Sequence, residues 1–184
     1  SQGAPSGERP KNEVPEAIEG ARFRVDRDRL FYDFPGDGNL WVRGRNYKAS
    51  FGAEGAKFVP FFGSHAPRNF PIGFEVTHVT IGAQPVEFRQ SANATHDADV
   101  VRFDREAFVE RYDMSLDSME QKFVFTDLPG VGDLNVDIAV TTELTMSAGP
   151  DGSIQFANEH GQVGYTGAVV VDANGDITPI LTQW

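Results

Sequence analysis

Three short stretches carry side chains whose types and spacing can do chemistry. Asp172, Asn174 and Asp176 alternate along DANGD, the D-x-N-x-D pattern that sets oxygen ligands on one side of a calcium (Ca2+) loop. The sixth position of such a loop needs glycine and holds Ile177; the twelfth needs a bidentate Glu and holds Gln183. The commoner use of the same residues is an Asn-Gly hairpin turn between two apolar strands. Arg68 and Asn69 lie in SHAPRNFP, pinned between Pro67 and Pro71. They have the donors and acceptors to read a carboxylate or a sugar, although such pairs more often satisfy the carbonyls of their own loop. Trp41, Tyr47 and Trp184 can stack on sugar rings, and equally can serve as core aromatics.

No other group rises to a catalytic motif. His65, His78, His96 and His160 form neither HxH nor HExxH, the spacings that put two imidazoles on one metal. His96 with Asp97 and Asp99 is the densest ligand-like set, and it also reads as a polar loop on an acidic surface. Ser50, Ser64 and Ser91 lack the flanking glycines of a nucleophile elbow. The absence of cysteine excludes disulfides, thiol nucleophiles and thiolate metal sites. An enzyme would therefore need a carboxylate pair or metal site assembled from separate loops, as in an extracellular hydrolase.

These side chains are held by strands. The 15 phenylalanines and 40% apolar content are ample for a two-sided core, which favours sheet on sheet. Turns of Gly, Asp and Asn recur at PGDGN, AEG, PDG and DANGD, separating apolar runs such as LWVRG, KFVPFFG and IGFEVTHVTI. The clearest period lies in DLNVDIAVTTELTM, where Leu134, Val136, Ile138, Val140, Thr142, Leu144 and Met146 alternate with polar or small residues. Period two predicts one long central strand over 134–146, with Ile138 and Val140 buried. Residues 107–114 and 119–125 read as its partners, with a short helix starting at Asp104 as the alternative for 104–112.

The net charge of -11 repels phosphate backbones and anionic lipid, so a nucleic-acid partner is not expected. No apolar stretch approaches the roughly 20 residues of a membrane span, so no membrane insertion is expected either. The chain opens SQGAPSGERPKNEVPEAIEG without an initiator methionine. That reads as a mature N-terminus after signal-peptide removal, or as a chain trimmed at a domain boundary. At the other end, Trp184 falls inside an apparent strand, which points to a natural protein that continues.

Two stretches together, LWVRGRNYKASF...KFVPFFGSHAPRNFPIGFEV and MEQKFVFTDLPGVGDLNVDIAV...GYTGAVVVDANGD, resemble the N-terminal β-rich regions of large secreted bacterial surface proteins. The resemblance spans most of residues 40–180 and rests on turns and core positions. It implies an extracellular structural or adhesive module and carries no catalytic residue with it.

The expected architecture is all-β: an antiparallel β-sandwich over 21–184, divisible into two packed sub-sandwiches near residue 95, behind an N-terminal arm over 1–20. The expected function is that of an exported, non-catalytic surface, adhesion or assembly module, with a carbohydrate-binding module using exposed aromatics as the alternative. Copies of itself, other surface proteins or a glycan are the expected partners. Three prolines keep the arm from forming a continuous ladder, so NEVPEAIE, anchored by Val14 and Ile18, is its candidate for adding a strand to a sheet edge of another copy.

Overall fold

The computed structural model describes residues 29–184. The expected arm, with Val14 and Ile18, lies outside the described residues. Strands follow one another along the chain: β1 Phe31–Asp33, β2 Leu40–Arg43, β3 Tyr47–Gly52, β4 Gly55–Pro60, β5 Ile72–Ile81, β6 Gln84–Pro85, β7 Thr95–Asp97 and β8 Val100–Asp104. After them come β9 Val109–Met114, β10 Met119–Val124, β11 Leu134–Thr142, β12 Thr145–Ala148, β13 Ile154–Asn158, β14 Gly161–Tyr165, β15 Val169–Val171 and β16 Ile177–Pro179. Every pairing among them is antiparallel. The protein is all-β, with several sheets.

The largest sheet runs β1-β2-β3-β4-β5-β11, with β6 also beside β5; the second runs β10-β9-β8-β7, the third β12-β13-β14, and β15-β16 stand as a two-stranded ribbon. Alternation decides what each sheet buries. In β2 and β3, Leu40, Val42, Tyr47, Ala49 and Phe51 are buried, while Arg43 and Lys48 are exposed. The β3–β4 turn needs glycine at Gly55: φ is +108°, and a Cβ there would lie 2.3 Å from the Phe74 carbonyl oxygen.

Three apolar clusters join these sheets. Leu40, Val42, Tyr47, Ala49 and Phe51 of the first sheet meet Val101, Phe103, Tyr112 and Met114 of the second. Ile72 and Phe74 meet Leu144, Ile154 and Phe156. Val76, Val79 and Ile81 meet Val86 and Phe108. Residue 95 begins β7, yet β11 returns to pair with β5 and the first cluster mixes residues from both sides of that point.

Strand β5 serves two of these clusters, and one extra residue keeps its apolar side chains on the inward face along the whole strand. Its register with β11 shifts between Asp137 and Ile138, which face His78 and Val76 and leave Thr77 bulged. The bulge moves the buried set from Ile72, Phe74 and Val76 to Val79 and Ile81 without turning the strand's apolar face outward. Thr77 is held there by donating to the Asp137 carbonyl at 3.2 Å.

The long period-two run differs from its expectation in two ways. It is two strands, β11 and β12, interrupted at Glu143 and Leu144, and β11 lies at the end of the sheet order, not at its centre. Ile138 and Val140 are accordingly half-buried. An edge strand has a neighbour on one side only, so its inward residues keep more contact with water. The helical alternative for 104–112 is replaced by a hairpin: Arg105 N–H donates to the Phe108 carbonyl and Glu106 takes a φ of +69°.

That hairpin places a buried charge pair that hydrophobic periodicity does not announce. Arg105 and Glu110 are 2% and 0% exposed, with Arg105 Nη2 donating to Glu110 Oε2 at 2.6 Å and Nε to the same oxygen at 2.9 Å. Arg105 Nη1 donates to the carbonyls of Arg89 and Gln90. The other carboxylate oxygen accepts from Tyr112 Oη at 2.6 Å and Gln121 Nε2 at 3.0 Å, and Gln121 Oε1 accepts from Tyr165 Oη at 3.2 Å. Among the described residues no buried side-chain nitrogen or oxygen is without a partner.

Two outcomes follow from this interior. Glu110→Ala strands the Arg105 guanidinium and should cost about 3–5 kcal/mol in urea unfolding. Removing both charges as Arg105→Met with Glu110→Met should cost less than the two single substitutions added together. Separately, burial pushes the hydroxyls of Tyr32, Tyr47, Tyr112 and Tyr165 above the ordinary value of 10.0. A raised folded value gives stability that is complete below pH 10 and is lost as pH climbs beyond it, when the unfolded chain gains charge first. Alkaline titration should therefore show tyrosinate absorbance rising together with the loss of β-structure; full ionisation in a still-folded chain would contradict it.

Candidate functional site

With its interior satisfied, the molecule offers chemistry at its surface. The outward residues of β1, β2 and β3 fall into cross-strand rows because strand registers align them. Phe31 faces Arg43 and Arg43 faces Lys48; Asp33 faces Trp41, whose other neighbour, Ser50, is buried. The PGDGN turn that joins β1 to β2 closes one end, with Gly36 and Gly38 at φ of +91° and +84°. Together Phe31, Asp33, Asp37, Trp41, Arg43 and Lys48 surround an open depression of about 500 Å³.

Trp41 is half-buried and fixed in orientation. Its indole N–H donates to Asp37 Oδ2 at 2.9 Å, while Asp37 Oδ1 accepts the Asn39 N–H at 2.9 Å. The Trp41 hydrogen bond, followed by that of Asn39, draws the Asp37 carboxyl below its usual range. The Arg43 guanidinium lies 4.6 Å from the Phe31 ring centroid. The depression thus combines an indole, a carboxylate-rich side and two cations, a set that can stack on a sugar ring and exchange hydrogen bonds with hydroxyls.

Tyr47 is no part of it. Its ring is buried in the first cluster, stacked on Phe58 at 5.0 Å, and its hydroxyl donates to the Ser115 carbonyl at 2.7 Å. Its place on β3 is one of the inward ones, so the expected pairing with Trp41 as a sugar platform is corrected. Arg68 and Asn69 sit on the exposed loop between β4 and β5 and do not line the depression. Arg68 pairs with Glu143 at 2.5 Å and lies over the Phe70 ring at 4.6 Å. His96 stacks on Tyr32 with centroids 4.5 Å apart, and Tyr32 Oη reaches Asp99 at 3.4 Å.

Asp172, Asn174 and Asp176 form the turn of the β15–β16 ribbon. Asp172 Oδ1 accepts the N–H groups of Asn174 at 2.8 Å and Asp176 at 2.9 Å, and Gly175 takes φ of +90°. The Asp176 N–H comes first among the causes that hold the Asp172 carboxyl below its usual range. This carboxylate caps the hairpin. Among the described residues no three or more His, Asp or Glu side chains are grouped to hold a metal ion.

The ribbon beyond this turn is the second surface feature. Val169, Val170 and Val171 on β15, Ile177 on β16, and Ile180, Leu181 and Trp184 after it are all exposed, Val171 to 61% and Leu181 to 79%. None of them belongs to the three core clusters. Sequence reasoning found the hairpin but not its exposure, because a valine-rich strand reads the same whether covered or bare. No family model, characterised protein or solved structure matches the chain.

Proposed function

We propose that the chain is a non-catalytic structural module of an exported bacterial surface protein, working in adhesion or assembly through its β15–β16 ribbon. The observation that carries this reading is the apolar exposure of that ribbon from Val169 to Leu181. A lone two-stranded ribbon is marginal in water, and bare apolar side chains gathered on one element support a contact with another protein. The composition agrees: a net charge of -11 keeps the remaining surface soluble while the segment 161–171 carries no charge. The placement outside the producing cell rests on the resemblance to secreted surface proteins.

A photo-crosslinking side chain at Leu181 tests this on intact producing cells, with one at exposed Phe61 as control. The expected result is a protein adduct at 181, absent at 61, in cells that have not been lysed. Adducts that appear only after lysis, or equally at both positions, would overturn the reading.

A second reading is favoured by the Trp41 depression: the module holds a glycan there, with the indole under a sugar ring and Asp33, Arg43 and Lys48 around its hydroxyls. Titration with cellohexaose, xylohexaose and mannohexaose should quench tryptophan fluorescence for at least one of them. Trp41→Ala should abolish the heat of binding in calorimetry, and Trp184→Ala should leave it intact. No heat with any of the three sugars removes this reading.

A further inference from the structure

We infer that the partner of the ribbon is a second copy of the chain, joined edge to edge through β15 about a two-fold axis at Val170; this rests on the assembly reading above. The hydrogen bonds within the ribbon determine which backbone groups are free. Asp172 N–H donates to the Asp176 carbonyl and Ile180 N–H to the Ala168 carbonyl, both at 3.1 Å. Bonded pairs alternate along an antiparallel ladder, so Val170 with Thr178 is the bonded pair between them. Val169 opposite Pro179 and Val171 opposite Ile177 are the unbonded ones. The N–H and C=O groups of Val169 and Val171 therefore point away from β16, along an edge that no described strand covers.

The two edges of the ribbon are not equivalent. On β16 the outward position next to Ile177 is Pro179, which has no N–H to offer. The β15 edge is short, three valines, but it carries no charge, no proline and no bulge. Only β15 offers a complete set of donors and acceptors to an incoming strand.

Its pattern also chooses the incoming strand. In antiparallel pairing about Val170, Val169 of one copy opposes Val171 of the other, and these are the residues whose backbone groups face outward. Ala168 then opposes Asp172, so the two Asp172 carboxylates sit at opposite ends of the joint. Parallel pairing in register would instead align Asp172 with Asp172. The uncharged run 161–171 brings the copies together where an otherwise acidic chain repels itself least. The contact uses the same residues on both sides, so it closes as a dimer and does not propagate.

Sedimentation of the full chain should show a species of twice the 20.2 kDa chain mass, and hydrogen exchange should show the Val169 and Val171 amides protected only as it forms. Val171→Pro removes an outward donor without removing a bond to β16 and should weaken the dimer at least tenfold. Val170→Asp and Val170→Lys should each be monomeric alone, by like charge at the two-fold axis, and should recover the dimer when mixed in equal amounts. This mixing result does not depend on how Val171→Pro folds. A monomer at about 1 mM, a concentration that reveals even millimolar association, would overturn the inference. So would protected Val169 and Val171 amides in a monomer, or Asp and Lys variants that fail to combine. A monomer that still gives Leu181 adducts with a different surface protein removes the second copy while leaving the assembly reading standing.

Discussion

The Arg105–Glu110 pair is the constraint around which this fold is arranged. A guanidinium and a carboxylate at 2% and 0% exposure lose their hydration, and their mutual attraction offsets that loss only if the remaining donors and lone pairs are used. Satisfying them draws in the carbonyls of Arg89 and Gln90 from the segment before β7, Tyr112 from β9 and Gln121 from β10. Through Gln121 the chain of hydrogen bonds reaches Tyr165 on β14, in the third sheet. The pair thus sets how the β8–β9 hairpin, β10 and β14 sit relative to one another, which apolar contacts alone specify loosely because they lack direction.

The bulge at Thr77 does for the apolar core what the charge pair does for the polar one. A regular ten-residue strand would present a single unbroken alternation to its neighbours. Inserting Thr77 keeps Val79 and Ile81 on the same inward face as Ile72, Phe74 and Val76, so that Val76, Val79 and Ile81 pack with Phe108 while Ile72 and Phe74 pack with Phe156. Two cores therefore share one strand, and the sheets on either side are fixed to the same backbone.

Much of this was legible in the residues. Strand β5 coincides with the run 72–81, the DANGD hairpin is a hairpin, and the alternation of Val136, Ile138 and Val140 is preserved in β11. Period two reports which residues share a face; it is silent about whether a strand has one neighbour or two, so β11 read as central although it ends the sheet. Tyr47 failed as a site residue for a related reason. A tyrosine suits a sugar platform and a core equally, and only its register opposite Pro60 on an inward row decides. The Arg105–Glu110 pair was hidden because spacing alone does not say that two charges five residues apart are brought together by a hairpin. Its signal in the sequence is Glu110 itself, a charged residue on the same alternating face as Phe108, Tyr112 and Met114.

Sheet edges are treated in different ways along the described residues. The second sheet ends on one side in β10, with Glu120 and Lys122 joined by an ion pair along it, and on the other in β7, only three residues long. The first sheet ends in β1, equally short, and in β11, which carries Asp137 exposed beside its register shift. Short strands, charges and irregular register are the ordinary means by which an edge is kept from pairing with another chain. β16 has Pro179; β15 is as short as β1 and β7 but carries no charge and no irregular register. Among the described residues β14, at one end of the third sheet, is uncharged as well, but its residues are in part covered, whereas all three valines of β15 are exposed; it is this bare apolar edge that gives an acidic chain its capacity for association in β15.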